Sequence, residues 1–405
     1  MIPTTLNSES GPAEELATLR LEEMGPLGDT MADLDGDPVN VFGGIPGEEV
    51  VARIVRYRRR RQLRVSGLVT EVLKPSPHRV SPPCPFFVAC TGCQWQHIDY
   101  KHQLTLKQEA VERAIAAYPA LGGVKVSPTL PAPSQFEYRN HARFTVRFQG
   151  VVGFVNRITR RFVKIDECML MLPGINNALR ELQGRSAETS QLSVRYGQGT
   201  GDFLIQPTFL NPEIPLASGQ SHYEESLLGR TFRVASPSFF QVNTAQTERL
   251  HQMVRERLNI GTDSFVVDAF AGVGTFAALL APHVRKVIAI EESSAAIKDA
   301  AVNTRGLNNL DFVEGRTEEV LGSLDEKPDA VILDPPRAGC HPDALAALSR
   351  LGPARVIYVS CDPETLARDL DDLIGRGYVP EAVEPVDMFP QTHHVECVVT
   401  LAFSS

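Results

Sequence analysis

A thiol at the tip of a strand is placed for chemistry. In VIYVSCDPETLARD (residues 356–369), Val356, Ile357, Tyr358 and Val359 read as a buried β-branched strand that Ser360, Cys361, Asp362 and Pro363 bring to an end. A cysteine inside an apolar strand behaves as a small hydrophobe, which is the reading for Cys340 and Cys397. Cys361 instead follows the strand's end among polar residues, where a thiolate can attack an electrophile. A second strand, PDAVILDPPRAGC (residues 328–340), finishes in Asp334-Pro335-Pro336-Arg337. A third stretch, DMFPQTHHVECVVTLAF (residues 387–403), sets His393, His394 and Glu396 against the apolar run from Cys397 to Leu401. An acid in such a run costs free energy unless it is paired or employed. Glu396 is therefore a candidate general base, with His393 and His394 as alternatives of suitable pKa.

These residues need a scaffold that brings strand ends together. After TFRVASPSFFQVN (residues 231–243) helices and apolar strands alternate, the pattern of a parallel α/β sheet. In SFVVDAFAGVGTFAALLA (residues 264–281) a strand leads through Asp268 to Gly272 and Gly274 and then a helix. Glycines at such a turn let the backbone approach a ligand that faces free helix N–H groups. The next strand, KVIAIEES, ends in Glu291 and Glu292, and a carboxylate there suits a ribose diol. No third glycine follows at dinucleotide spacing, which favours a nucleoside-bearing cofactor without pyrophosphate. With Asp334-Pro335-Pro336, the segment resembles a class I S-adenosylmethionine-dependent methyltransferase. Amine-methylating members usually carry an aromatic residue after that tripeptide, and Arg337 here argues for another acceptor. Carbon 5 of a pyrimidine becomes nucleophilic only when a thiolate adds to carbon 6, and its proton must then be removed by a base.

Composition sets the surroundings. A chain of 405 residues is long enough for two or three domains. With 43% hydrophobic and 22% charged residues it reads as soluble and globular. No apolar stretch approaches the roughly 18 residues of a membrane span, and the acidic start is unlike a signal peptide, so a cytoplasmic protein is expected. The net charge of −9 hides a segregation. Residues 51–165 hold 20 bases and 5 acids, whereas residues 1–50 hold 11 acids and one base. RIVRYRRRRQLR, with Arg53, Arg56, Arg58, Arg59, Arg60, Arg61 and Arg64, and a second group including Arg139 and Arg143, form the footprint of a phosphate-binding surface. Three segments follow: residues 1–78 as a small β-barrel, 79–230 as a mixed α+β domain, and 231–405 as the α/β domain. The helix in the second segment is predicted at YKHQLTLKQEAVERAIAAY, from apolar spacing of three and four. Seven cysteines, odd in number, suggest metal ligands or catalytic thiols in a reducing compartment. Cys84, Cys90 and Cys93 have C-x5-C-x2-C spacing, and Cys168 is available as a fourth ligand. Spacing alone accommodates zinc or an iron–sulfur cluster equally.

SFFQVNTAQTERL, DPPRAGC, VSCDPETLARDL and DMFPQTHHVE together closely resemble the signatures of the RNA uracil-C5 methyltransferases, the bacterial group that makes 5-methyluridine in ribosomal or transfer RNA. The resemblance covers almost the whole chain. It implies a Rossmann-like, doubly wound, mostly parallel methyltransferase domain, with Cys361 as nucleophile and Glu396 as base. It places Gln241, Phe270, Glu291 and Asp334 around S-adenosylmethionine and uracil, with Gly272, Gly274 and Thr275 in the cofactor turn. Thr275 stands where some relatives have Asn, and Arg316 where an acid or amide often meets adenine. It implies a 4Fe-4S cluster on Cys84, Cys90, Cys93 and Cys168, and a TRAM-like, OB-like barrel that binds RNA. The expected partner is RNA, ribosomal in preference to transfer, with no membrane and no obligatory protein partner. Uridine is expected to be extruded from its stack, with Trp95, Phe239 and Phe240 available to stack on unpaired bases. DNA cytosine-C5 methyltransferases differ in having Pro before the nucleophile, where this chain has Ser360. A non-enzymatic iron–sulfur RNA-binding protein would have no need of the thiol.

Overall fold

Alternation of apolar and polar residues builds the first sheet. The computed structural model describes residues 15–59 and 62–404, and the chain divides into two compact units. One runs to Asp99 and includes Val155–Val163; the other comprises Tyr100–Phe154 and the chain from Lys164 onward. In the first, β1 (Leu16–Arg20), β2 (Thr30–Leu34), β3 (Asp37–Phe42), β4 (Glu49–Arg59) and β5 (Gln62–Lys74) are ordered β1-β4-β5-β3-β2. Leu19, Val39, Val41, Val50, Ala52 and Ile54 pack on its inner face. Beyond β1, the Glu22 N–H donates to Met31 O (2.9 Å) and the Met31 N–H to Glu23 O (2.8 Å), drawing the two edges together into a half-barrel. Buried Glu48 accepts both arms of Arg79 at 2.6 Å and the Ser76 N–H at 3.0 Å, which fastens the Pro-rich stretch after β5 to this sheet. Trp95, expected to stack on a base, is 3% exposed and donates its indole N–H to Gly28 O at 3.1 Å. It is a core residue of this unit.

The second unit begins with α1 (Tyr100–Ala116) and β6 (Lys125–Val126). Next come β7 (His141–Arg147), β8 (Val151–Val155), α2 (Pro173–Leu182), β10 (Gln191–Tyr196) and β11 (Phe203–Gln206), while β9 (Phe162–Lys164) falls largely in the first unit. In the second unit the strands are ordered β11-β10-β7-β8. A hairpin, β12 (His222–Leu227) with β13 (Arg230–Ala235), leads to α3 (Thr244–Leu258). Asn243 caps α3 by accepting from the Gln246 N–H, and Asn259 in left-handed conformation ends it.

From there the chain winds β14 (Phe265–Ala269), α4 (Thr275–Leu280), β15 (Lys286–Glu291), α5 (Ser294–Asn303), β16 (Leu310–Glu314) and α6 (Thr317–Gly322). It continues through β17 (Ala330–Leu333), α7 (Pro342–Leu351), β18 (Arg355–Ser360), α8 (Pro363–Gly375), β19 (Tyr378–Val386) and β20 (Glu396–Phe403). The eight-stranded order is β16-β15-β14-β17-β18-β20-β19-β6. β14, β17 and β18 are buried along nearly their whole length, as strands covered on both faces must be, and this explains their unbroken apolar runs. The order reverses beside β14, which opens a crevice at the carboxyl ends of β14 and β17. β20 pairs antiparallel with both β18 and β19. The sheet is therefore mixed, with β20 running against its neighbours. Among the described residues no helix is long and apolar enough to cross a membrane.

Candidate active site

Because β20 is reversed, its first residue lies at the carboxyl end of β18. Ser360 pairs with Cys397, so the next step of the register sets Cys361 against Glu396. Tight capping fixes the thiol: Ser360 Oγ donates to Asp362 O (3.0 Å), and Asp362 Oδ1 accepts the Glu364 and Thr365 N–H groups (3.1 Å each), capping α8, which starts two residues beyond Cys361. Cys361 is half-buried, and Glu396 is buried.

The charges around the thiol oppose one another. Burial, and then the Glu396 carboxylate, push the Cys361 thiol up to about 11, whereas Arg337 hydrogen-bonds it and pulls the other way. Burial holds Glu396 well above the ordinary carboxylate range, with Asp334 adding to the rise and Arg337 opposing it. Burial raises Asp334 to about 7. Cys361, Glu396, Asp334 and Arg337 thus form one electrostatic cluster, the arrangement expected of a nucleophile and a base. Arg337 Nη2 also lies 3.4 Å from His394 Nδ1. Sequence reading used Arg337 only to discriminate acceptors and missed its place beside the thiol; its position directly after the strand-end Asp-Pro-Pro was the available signal.

The turn after β14, predicted to hold the cofactor, is wound through left-handed backbone. Phe270, Gly272 and Gly274 all have positive φ (68°, 56° and 83°). A Cβ on Gly274 would come within 2.7 Å of the Phe312 ring, while one on Gly272 would meet nothing within 4 Å, so Gly272 faces open space. Glu291 accepts the Gly272 N–H (2.7 Å) and the Ser293 N–H (2.8 Å). Asp268 accepts the Ala277 N–H at 2.9 Å through one oxygen, and its other, buried oxygen has no hydrogen-bond partner. Burial pushes this acid up to about 8. Thr275 opens α4 directly after the turn, and Arg316 is engaged by Glu318 at 3.1 Å. Open space at Gly272, two acids and left-handed turn backbone fit S-adenosylmethionine, which would be held by Gly272, Gly274, Glu291 and Asp334.

Gln241 is positioned from below. Fully buried Glu225 accepts the Gln198 and Gly199 N–H groups (3.2 Å each) and the Thr244 hydroxyl (3.0 Å); Asn140 Nδ2 joins Thr244 Oγ1 (3.1 Å) to the Gln241 carbonyl (3.0 Å). Arg195 donates to Ser238 O at 2.9 Å, and Ser238 Oγ to Asp299 at 2.7 Å. Between these anchors Phe239 stands 72% exposed, whereas Phe240 is 7% exposed and packs against Phe232. Of the two phenylalanines expected to stack on bases, the second is core.

The remaining predicted residues belong to both units. Cys84, Cys90 and Cys93 occupy one loop of the first unit, wound through left-handed Val88 and Thr91, with Gln96 Nε2 donating to Cys93 Sγ at 3.2 Å. Cys168 belongs to the second unit, where its N–H is held by Asn176 at 3.0 Å. Thiol donors of this kind suit zinc or an iron–sulfur cluster alike in chemistry. Among the described residues, no three His, Cys, Asp or Glu side chains are gathered around a metal position. Arg56 and Arg64 are exposed on the β4–β5 hairpin, Arg56 paired with Glu15 at 2.6 Å, and Arg53 is half-buried. Arg60 and Arg61 lie outside the described residues, and Arg58 and Arg59 are placed here only as backbone of β4. Arg143 is exposed on β7, and Arg139 is half-buried before it.

Comparison with known proteins follows this geometry. The family model described as tRNA (Uracil-5-)-methyltransferase matches residues 226–403. A protein of Gloeobacter violaceus named as an uncharacterized RNA methyltransferase is 34% identical, over 96% of this chain and 96% of its own. One of the same description from Thermosynechococcus vestitus is 33% identical, over 95% and 98%. The crystal structure of the Pyrococcus abyssi tRNA (uracil-54, C5)-methyltransferase in complex with S-adenosyl-L-homocysteine matches with a TM-score of 0.73 and 25% identity, covering 95% of this chain and 100% of that one.

Two outcomes are expected from the electrostatics. Asp268 is raised from 3.8 to about 8 on folding, so between those values the folded chain keeps a proton that the unfolded chain releases. Its contribution is complete below the unfolded value and is lost as pH rises through the folded one. The thermal midpoint of Asp268→Asn should therefore fall less than that of the parent between about pH 5 and 8; parallel curves would refute the assignment. Arg337→Gln removes the cation beside the thiol. Alkylation of Cys361 by iodoacetamide, followed by peptide mass spectrometry, should slow about tenfold at neutral pH. An unchanged rate would remove Arg337 from this role.

Proposed function

The chain belongs to the tRNA (uracil-5-)-methyltransferase family of RNA methyltransferases, and from that premise we propose that it is a cytoplasmic enzyme methylating carbon 5 of one uridine in 23S ribosomal RNA. The observation that carries the reading is the register that sets Cys361 against Glu396, with Arg337 and Asp334 beside them. S-adenosylmethionine, when bound at the Phe270–Thr275 turn with Glu291, supplies an electrophilic methyl group to a carbon nucleophile. The Cys361 thiolate, stabilised by Arg337, bonds to carbon 6 and sends the π electrons of the carbon 5–carbon 6 bond onto carbon 5 and the carbonyl oxygen at carbon 4. After methylation Glu396 takes the carbon-5 proton; the C–H electron pair rebuilds the ring double bond and expels the thiolate. A buried carboxyl of raised pKa is a stronger base once ionised, which suits this step.

Residues 1–78 and 79–230 are assigned to RNA capture through Arg53, Arg56, Arg58, Arg59, Arg60, Arg61, Arg64, Arg139 and Arg143, and residues 231–405 to chemistry. Exposed Phe239 is the stacking surface for an unpaired base. Gln241 is assigned to the uracil or the cofactor. Cys84, Cys90, Cys93 and Cys168 are assigned as ligands of a 4Fe-4S cluster that organises the RNA-binding part of the chain; methyl transfer itself consumes no electrons. Transfer RNA is the second reading, favoured by the whole-chain likeness to the Pyrococcus abyssi enzyme.

Mapping 5-methyluridine in ribosomal and transfer RNA from cells with and without the gene separates the two substrates. With uridine-bearing transcript and methyl donor, Glu396→Gln should accumulate a methylated RNA–protein adduct on denaturing gels. Cys361→Ala should form none. An adduct in the Cys361→Ala variant would overturn the mechanism. Cys93→Ser, purified without oxygen, should lose iron and acid-labile sulfide; retention of both at the parent's content would strike it from the ligand set.

A further inference from the structure

A lysine buried in a helix face costs free energy unless something requires it there. α1 presents Tyr100, Gln103 and Lys107 at spacings of three and four, and so on one side. Lys107 and Asp387 have no side-chain exposure at all, and their Nζ–Oδ1 separation is 2.5 Å. Lys107 also donates to Phe389 O at 3.1 Å, and the Tyr100 hydroxyl to Asp387 Oδ2 at 2.8 Å. Gln103 exchanges two hydrogen bonds with Gln391, 3.0 Å through the side chains and 3.1 Å from the Gln391 N–H. From other elements, Asn243 Nδ2 donates to Met388 O (3.0 Å) and the Tyr138 hydroxyl to Pro390 O (2.9 Å). Every residue from Asp387 to Gln391 is held by a side chain from elsewhere, and Gln391 is kept at a φ of +67°, which a non-glycine residue adopts at a cost.

These five residues begin the connection from β19 to β20. Its two ends meet at the pair Val386–Glu396, and it carries His394 to within 3.4 Å of Arg337. Buried ion pairs add little stability over apolar residues of similar volume, so stability does not account for this one. We propose that Lys107, with Tyr100 and Gln103, is a positioning residue for the step in which the proton leaves carbon 5. The clamp fixes the connection that sets Glu396 and His394 relative to Cys361. This rests on the assignment of Glu396 as the base.

Lys107→Met alone strands a buried carboxylate, so the informative variant is Lys107→Met/Asp387→Leu, which removes both charges, checked for folding by thermal denaturation. Gln103→Leu, which strands no charge, is measured in parallel and should give the same split in smaller measure. Full-length protein reacts in single turnover with transcript bearing tritium at carbon 5, and adduct formation and tritium release are timed separately. Adduct should form at the parent's rate while tritium release slows ~10–100-fold, so that adduct accumulates. Release at the parent's rate in the folded variants, or equal slowing of both steps, overturns the proposal and leaves the clamp a general support of the fold. A parent enzyme that forms no Cys361 adduct and releases no tritium fails differently, since it removes the assignment of Cys361 and Glu396 themselves.

Discussion

The site depends on one strand running against its neighbours. In a wholly parallel sheet the residue after a strand's end has loops beside it, and a catalytic partner must arrive on one of them. Reversing β20 places its first residue, Glu396, beside Cys361, the residue that follows the end of β18. Adjacent strands stand roughly 4.8 Å apart, a spacing set by backbone hydrogen bonds. Thiol and carboxyl thereby become neighbours across the sheet, close enough for each to feel the other's charge. The same rule makes register decisive: a slip of one residue would turn Glu396 to the opposite face and present an apolar neighbour in its place.

That placement forces an electrostatic compromise. A thiol and two carboxyls crowd into a space where burial raises all three, and Arg337 is the cation that opposes the rise at Cys361 and Glu396. In a medium of low dielectric both the attraction to Arg337 and the repulsion among acids are stronger than in water. Burial thus pushes all three groups towards their neutral forms, and Arg337 works against that push at Cys361 and Glu396. A thiol whose pKa is raised in this way is less open to alkylation and oxidation, which require the thiolate.

Much of this was legible in the chain because strand ends announce themselves. Unbroken apolar runs that stop at Asp268, Glu291, Asp334 and Cys361 mark parallel strands, and the ligand crevice lies at their carboxyl ends. Aromatic residues were less legible. Trp95, Phe239 and Phe240 look alike in sequence, yet one donates to a distant carbonyl, one is exposed and one is core, since exposure is decided by neighbours far along the chain. Lys107 was illegible for the same reason. On apolar spacing it falls within an ordinary amphipathic helix, where a lysine is read as solvent-facing, but its partner lies 280 residues away.

The hidden polar residues share a task that apolar packing performs poorly. Glu225, Asp299 and Lys107 each bind main-chain or loop groups of segments with no regular structure: those around Gln198, around Ser238, and from Asp387 to Phe389. Hydrophobic burial is non-directional and tolerates many loop conformations of equal area. A buried carboxylate or ammonium tolerates few, because any conformation that leaves it unpaired pays its full desolvation cost. Such anchors contribute modestly to net stability and strongly to uniqueness, which matters where Cys361, Glu396 and exposed Phe239 come from three separate segments. The strands set which residues can meet, and the buried charges set how the connecting backbone is held when they do.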